Sequence, residues 1–205
     1  KMNVVAVEGL YGENSTYYIS GLPSSAKKVN VTIDNVTYTL NVTNGNASLT
    51  LNNLTVGTHD GNVFYAGDQN YSSKSQIFRP HIGKSIPSIV LDNATGDITA
   101  TVGGNATGNV TFYLHNNNYT RPIVNGTATL SKDYLKVGDN YVVAVYGGDE
   151  NHDINDTARN FHMDKYTSLV NVSANDTAYG NDVKVVVRVG ANQSGFVTIY
   201  VNGDD

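Results

Sequence analysis

NVTYTLNVTNGNAS, running from Asn35 to Ser48, is the stretch whose reading decides the fold. Val36, Tyr38, Leu40 and Val42 alternate with Asn35, Thr37, Thr39 and Asn41, the period of a strand with one apolar and one wet face. Asn44-Gly45 follows as a tight-turn signal. The wet face is unusual, because strands generally avoid asparagine. Here Asn35-Val36-Thr37, Asn41-Val42-Thr43 and Asn46-Ala47-Ser48 are each N-x-[ST] triplets.

Features of this stretch return further along. Asn44-Gly45-Asn46-Ala47-Ser48-Leu49 recurs as Asn125-Gly126-Thr127-Ala128-Thr129-Leu130, at an offset of 81 residues. Leu54-Thr55-Val56-Gly57 recurs as Leu135-Lys136-Val137-Gly138, and Tyr65-Ala66-Gly67-Asp68 as Tyr146-Gly147-Gly148-Asp149, at the same offset. Three matches at one spacing mark tandem units. Tyr179-Gly180-Asn181-Asp182 and Gly195-Phe196-Val197-Thr198-Ile199-Tyr200 open a further copy. The predicted units are 1–82, 83–164 and a partial third at 165–205, with joints near "RPHIGKSIPS" (79–88) and "HMDKYTS" (162–168).

Each full unit reads as about seven short strands and no helix. In the second they fall near Ser88–Leu91, Ile98–Val102, Asn109–Leu114, Arg121–Val124, Thr127–Leu130, Tyr141–Tyr146 and Ala158–Met163. That count and spacing predict an all-β chain of tandem immunoglobulin-like β-sandwich domains. Leu135-x-x-Gly138-x-x-Tyr141 suggests a tyrosine corner, which Asp60 cannot supply in the first unit. The third unit is predicted to carry three strands, around Val170 and Val172, Val183 to Val189, and Val197, Ile199 and Val201. Their apolar faces are expected to be completed by continuation of the polypeptide or by a strand from a neighbouring subunit.

The pattern N-G-x-A-x-L, then L-x-V-G, then Y-x-G-D resembles the Ig-like repeats of archaeal, methanogen-type adhesin-like surface proteins. The resemblance spans nearly the whole chain and implies a long surface or secreted array. It carries over no catalytic residue.

The remaining composition narrows the function classes. With a net charge of -5 and Lys27-Lys28 as the one adjacent basic pair, the chain lacks the basic stripe a nucleic acid needs. The longest apolar run, Tyr141 to Tyr146, is too short to span a bilayer. Zero cysteines exclude disulfides and thiolate chemistry.

Sixteen N-x-[ST] triplets begin at Asn14, Asn30, Asn35, Asn41, Asn46, Asn53, Asn70, Asn93, Asn105, Asn109, Asn118, Asn125, Asn155, Asn171, Asn175 and Asn192. With 27 Asn and 34 Ser or Thr, independent placement gives roughly four to five. A polar strand face of Asn and Thr creates the motif automatically, because residues i and i+2 share a face. That accounts for Asn30, Asn35 and Asn41, but not for triplets in predicted turns such as Asn46, Asn105, Asn125 and Asn155. The excess points to N-linked glycans and an extracellular, cell-surface location. Bulky sugars would also shield sheet edges in a chain with few charged gatekeepers.

Other chemistry is thinner. The acidic loop GDENHDINDT (148–157) offers oxygens to Ca²⁺, although its spacing is not that of an EF-hand and the equivalent GDQNYSS (67–73) holds one acid. His59, His81, His115, His152 and His162 show no metal-ligand spacing and read as surface or joint residues. No G-x-S-x-G elbow is present. Tyr38, Tyr65, Tyr141 and Tyr146 read as core, and one ring of Tyr17-Tyr18 is expected outside. A lysine crosslinked to Asn or Asp would suit a cysteine-free surface domain, with no pairing given by the sequence. The expectation is a non-enzymatic stalk or filament segment without cofactors. Its partners would be neighbouring repeats or subunits, and a surface polysaccharide or another cell. The rival is a carbohydrate-binding module or accessory region of a secreted enzyme.

Overall fold

The computed structural model describes residues 1–191 and 193–201. Asn192 and the last residues of the third unit, 202–205, lie outside them.

The first unit contains β1 (Asn3–Val7), β2 (Ser15–Ser20), β3 (Lys28–Ile33), β4 (Val36–Asn41), β5 (Ala47–Leu51), β6 (Gly57–Thr58), β7 (Gly61–Tyr65), β8 (Lys74–Phe78) and β9 (His81–Ile82). The second contains β10 (Ile89–Asp92), β11 (Ile98–Val102), β12 (Asn109–Leu114), β13 (Asn117–Pro122), β14 (Thr127–Leu130), β15 (Gly138–Tyr146) and β16 (Asn155–Met163). A three-residue 3₁₀ turn at Lys132–Tyr134 is the one helical element among the described residues.

Both units build the same sandwich. A three-stranded sheet, β1-β2-β5 or β10-β11-β14, faces a four-stranded one, β4-β3-β7-β8 or β13-β12-β15-β16. Alternation puts Val29, Val31 and Ile33 of β3 and Val63 and Tyr65 of β7 against Tyr17 and Ile19 of β2. In the second unit Val110, Phe112 and Leu114 meet Ile98 and Ala100 in a separate core. Tyr17 is buried and Tyr18 exposed, as the paired rings predicted.

The turns correct one reading of the opening stretch. Asn35 is not in a strand. Asp34 and Asn35 form the loop between β3 and β4, with φ of 46° and 69°, and His115 and Asn116 repeat it at 49° and 64°. Left-handed backbone at both central positions matches the twist of the flanking strands. Asn44-Gly45 and Asn125-Gly126 make the same turn before β5 and β14.

Tyr141 is not a corner residue or a core residue. It is 64% exposed on the outer face of β15. The neighbouring Asn140 is fully buried and does the work predicted for the tyrosine. Its Oδ1 accepts from Lys136 N at 2.8 Å, and its Nδ2 donates to the carbonyls of Lys136 (2.7 Å), Gly138 (2.9 Å) and Phe161 (3.3 Å).

Leu10 and Gly83 form a parallel bridge, so the start and end of the first unit run in the same direction. The segment that follows is hydrogen-bonded at Lys84 and Ser85. Ser85 N donates to Asn151 O at 3.1 Å, and Ser85 O accepts from Asp153 N at 2.9 Å. Lys84 Nζ donates to Asp149 O, and the Tyr11 ring meets His152 edge-on at 5.5 Å.

Among the described residues the third unit shows a hairpin, β17 (Val170–Ala174) with β18 (Val185–Val189). Val197, Ile199 and Val201 belong to no named strand. Val170, Val172, Val185 and Val189 are exposed, since no second sheet covers them among the described residues.

Candidate functional site

The outer face of the second four-stranded sheet carries a groove of about 610 Å³, walled by Tyr113, His115, Asn116, Asn117, Asn118, Tyr119, Tyr141 and Val143. The strand period builds it. Phe112 and Leu114 of β12 turn inward, so Tyr113 turns out and is 46% exposed. Register then sets Tyr113 opposite Val143 on one side and Asn118 on the other. Two open aromatic rings beside a row of amides can stack on, and hydrogen-bond to, a sugar. Sequence reading missed this because Tyr141 was assigned to the interior. The phase of β15, with Asn140, Val142 and Ala144 all buried, carries the missed signal.

The triplet asparagines spread over the surface. Of the fifteen described, Asn30, Asn93 and Asn155 are half-buried and the other twelve are exposed. Several have local structural roles that the sequence reading had set aside. Asn35, Asn105 and Asn125 take left-handed φ values of 69°, 57° and 50°, a conformation asparagine tolerates better than most residues. Asn46 Nδ2 donates to Asn44 O at 2.8 Å. Asn155 begins β16 instead of sitting in a turn, and its Nδ2 donates to Pro87 O at 2.9 Å. The turn triplets therefore carry less of the argument than their positions promised, while Asn14 and Asn53, exposed and outside the strands, carry more.

Two histidines are buried. His59 is neither at the surface nor at the joint: its ring fills the place that Asn140 occupies in the second unit. His59 Nε2 meets Thr55 O at 2.8 Å, and Nδ1 meets the Asp34 carboxylate. Burial opposes the charged ring, but Asp34 and the Thr55 carbonyl outweigh it and raise the His59 pKa. The His59 hydrogen bond holds Asp34 below the ordinary carboxylate value. His152 lies buried at the joint with Nδ1 at 2.9 Å from Asp149.

The acidic loop turns inward on itself. Asp149 Oδ1 accepts from the N–H groups of Asn151 and His152, and Oδ2 from the N–H and hydroxyl of Thr107. Burial works against its charge, yet these donors hold the carboxyl far below the ordinary range. Asp68 repeats the design with Ser25, Asn70, Tyr65 and Tyr71 as donors, at a pKa of about 2. Carboxylates ringed by donors order the loop and turn their lone pairs away from a cation. No group of three His, Cys, Asp or Glu side chains converges as a metal site among the described residues. Nor is any helix there long and apolar enough to cross a membrane.

No protein-family model and no curated protein matches the chain. Among solved structures it resembles one described as "Structures of Clostridium thermocellum CbhA fibronectin(III)-like modules". The likeness covers 80% of this chain and 94% of that one, at 10% identity and a TM-score of 0.34. A likeness at that level assigns neither an activity nor a partner. The sandwich assignment stands on the two seven-stranded sheet pairs themselves.

Proposed function

We propose that the chain is a segment of an extracellular, heavily N-glycosylated surface protein of the archaeal adhesin-like kind, serving as a stalk or filament spacer and not as an enzyme. The observation that carries this reading is that twelve of the fifteen described triplet asparagines are exposed, so a glycosyltransferase could reach those without unfolding a domain. The joint supports a spacer, because Tyr11 of the first unit bonds Gly83 and sets its ring against His152 of the second, which limits bending between the two sandwiches. Neighbouring repeats or subunits would extend the array, with a surface polysaccharide or another cell as its attachment target. The decisive measurement is the intact mass of protein from its native source. It is expected to exceed the 22.0 kDa polypeptide by many glycans, and an unmodified mass overturns the reading.

The groove at Tyr113 and Tyr141 favours one second reading, a module that grips an external polysaccharide. Saturable binding of free oligosaccharides, lost in Tyr141→Ala, would support it.

A further inference from the structure

We propose that the outer sheet faces are covered by the protein's own carbohydrate: a glycan on Asn118 lies back over the Tyr113 ring, and one on Asn30 lies over Phe64. This rests on the N-glycosylation reading and states where the sugar packs. Asn118 and Tyr113 are directly opposed in the β12–β13 ladder and both line the groove. Opposed side chains start from Cβ atoms about 4.5–5.5 Å apart, so a sugar leaving Asn118 starts beside the ring. Asn30 is opposed to Phe64 in the β3–β7 ladder, and that ring is 41% exposed. The Thr39 hydroxyl donates to Asn30 Oδ1 at 2.9 Å, fixing the amide and leaving Nδ2 for the sugar.

The repeat supplies its own control. Eighty-one residues from Tyr113 and Asn118 stand Thr32 and Thr37, which bond each other through their hydroxyls at 2.8 Å. The same distance from Asn30 and Phe64 stand Thr111 and Val145. On each of these rungs the triplet and the exposed ring occur together in one domain and are both missing from the other. Not every strand triplet has an exposed ring opposite: Asn41 faces Lys28, Asn109 faces Pro122, Asn171 faces Arg188 and Asn155 faces the buried Tyr146, so the pairing is specific to the Asn118–Tyr113 and Asn30–Phe64 rungs.

The chemistry is ordinary. A phosphate-activated oligosaccharide donor joins its anomeric carbon to Nδ2, the amide gives up one proton, and the donor's phosphate leaves with the bonding electrons. The C–H face of the first pyranose then meets the ring face, removing apolar surface of both from water.

The test uses the full chain from a host that glycosylates it, with Asn118→Gln, Tyr113→Ala and the double variant. Glycopeptide mass spectrometry first reports whether Asn118 is occupied. Tyr113→Ala is then expected to lower the unfolding midpoint by about 4 °C more when Asn118 bears its sugar than in the Asn118→Gln background. Ring-current shifts on the first sugar's protons should vanish with the ring. An occupied Asn118 with neither coupling nor ring shift overturns the stacking and leaves glycosylation standing. An unmodified Asn118 overturns both at this site. Binding of free oligosaccharide at Tyr113 in the glycosylated protein also overturns the proposal, because the ring would then be open.

Discussion

His59 and Asn140 stand at the same point of two closely similar sandwiches, yet they close the fold by different chemistry. In the second domain β15 and β16 pair without interruption from Gly138–Met163 to Tyr146–Asn155, and a neutral amide ties the corner. In the first domain Pro80 lies opposite His59. His59 N donates to Pro80 O at 2.9 Å, but proline has no N–H to return, and the ladder splits into β6–β9 and β7–β8. The His59 ring spans the gap, with Thr55 O on one nitrogen and Asp34 on the other. Because both partners accept, the doubly protonated imidazolium is the form that satisfies both. One fold position thus tolerates an uncharged clamp or an ionic one, and only the ionic clamp answers to pH.

The largest effect should come from the neutral corner. Asn140→Ala removes four hydrogen bonds and strands the buried Phe161 carbonyl beside two part-buried ones, for an expected loss of about 3 kcal/mol in the second domain. Hydrogen exchange in β12 and β15 would report it, with β3 and β7 as the unaffected reference. A loss below about 1 kcal/mol would break the equivalence of the two corners.

The ionic corner should show itself by titration. His59 has a raised pKa in the fold, so its stabilisation is complete below the ordinary 6.5 and is lost as pH rises through the folded value. Asp34 has a lowered one, so its share is present above the ordinary 3.8 and is lost on acidification. Asp34 is half exposed, which screens the pair. The first domain is expected to lose about 1 kcal/mol as pH climbs from below the ordinary histidine value through the raised folded value of His59. His59→Asn, which copies the second domain, should flatten that slope. Hydrogen exchange in β3 and β7 across the pH range would measure both.

Tyr141→Phe should change the second domain's stability by less than about 0.5 kcal/mol, since the side chain is 64% exposed on the outer face. A loss above about 1 kcal/mol in urea unfolding would restore Tyr141 as the corner.

Strands were the most legible part of the sequence. Ile98–Val102, Asn109–Leu114 and Thr127–Leu130 have the bounds that alternation predicted, because half-buried strands write their phase directly into the chain. The strand read at Arg121–Val124 begins earlier, at Asn117, where three polar asparagines hid it. The corner was misread for a different reason. Tyr141 and Asn140 are adjacent, so choosing between them means choosing the phase of β15, and an asparagine in a core position contradicts the apolar pattern until its four bonds are seen. His59 was equally opaque: its partners lie 4 and 25 residues back, distances that only the sandwich brings together. The groove followed once Tyr141 turned outward.

The parallel bridge between Leu10 and Gly83 bears on how such a domain would carry tension. A chain entering and leaving along strands that run the same way, at opposite poles, is pulled lengthwise. The ladder bonds between β1 and β2 lie across that pull. Stretching would therefore shear all of those rungs together instead of peeling them one at a time, so the sandwich would resist load as a rivet does and not as a zipper.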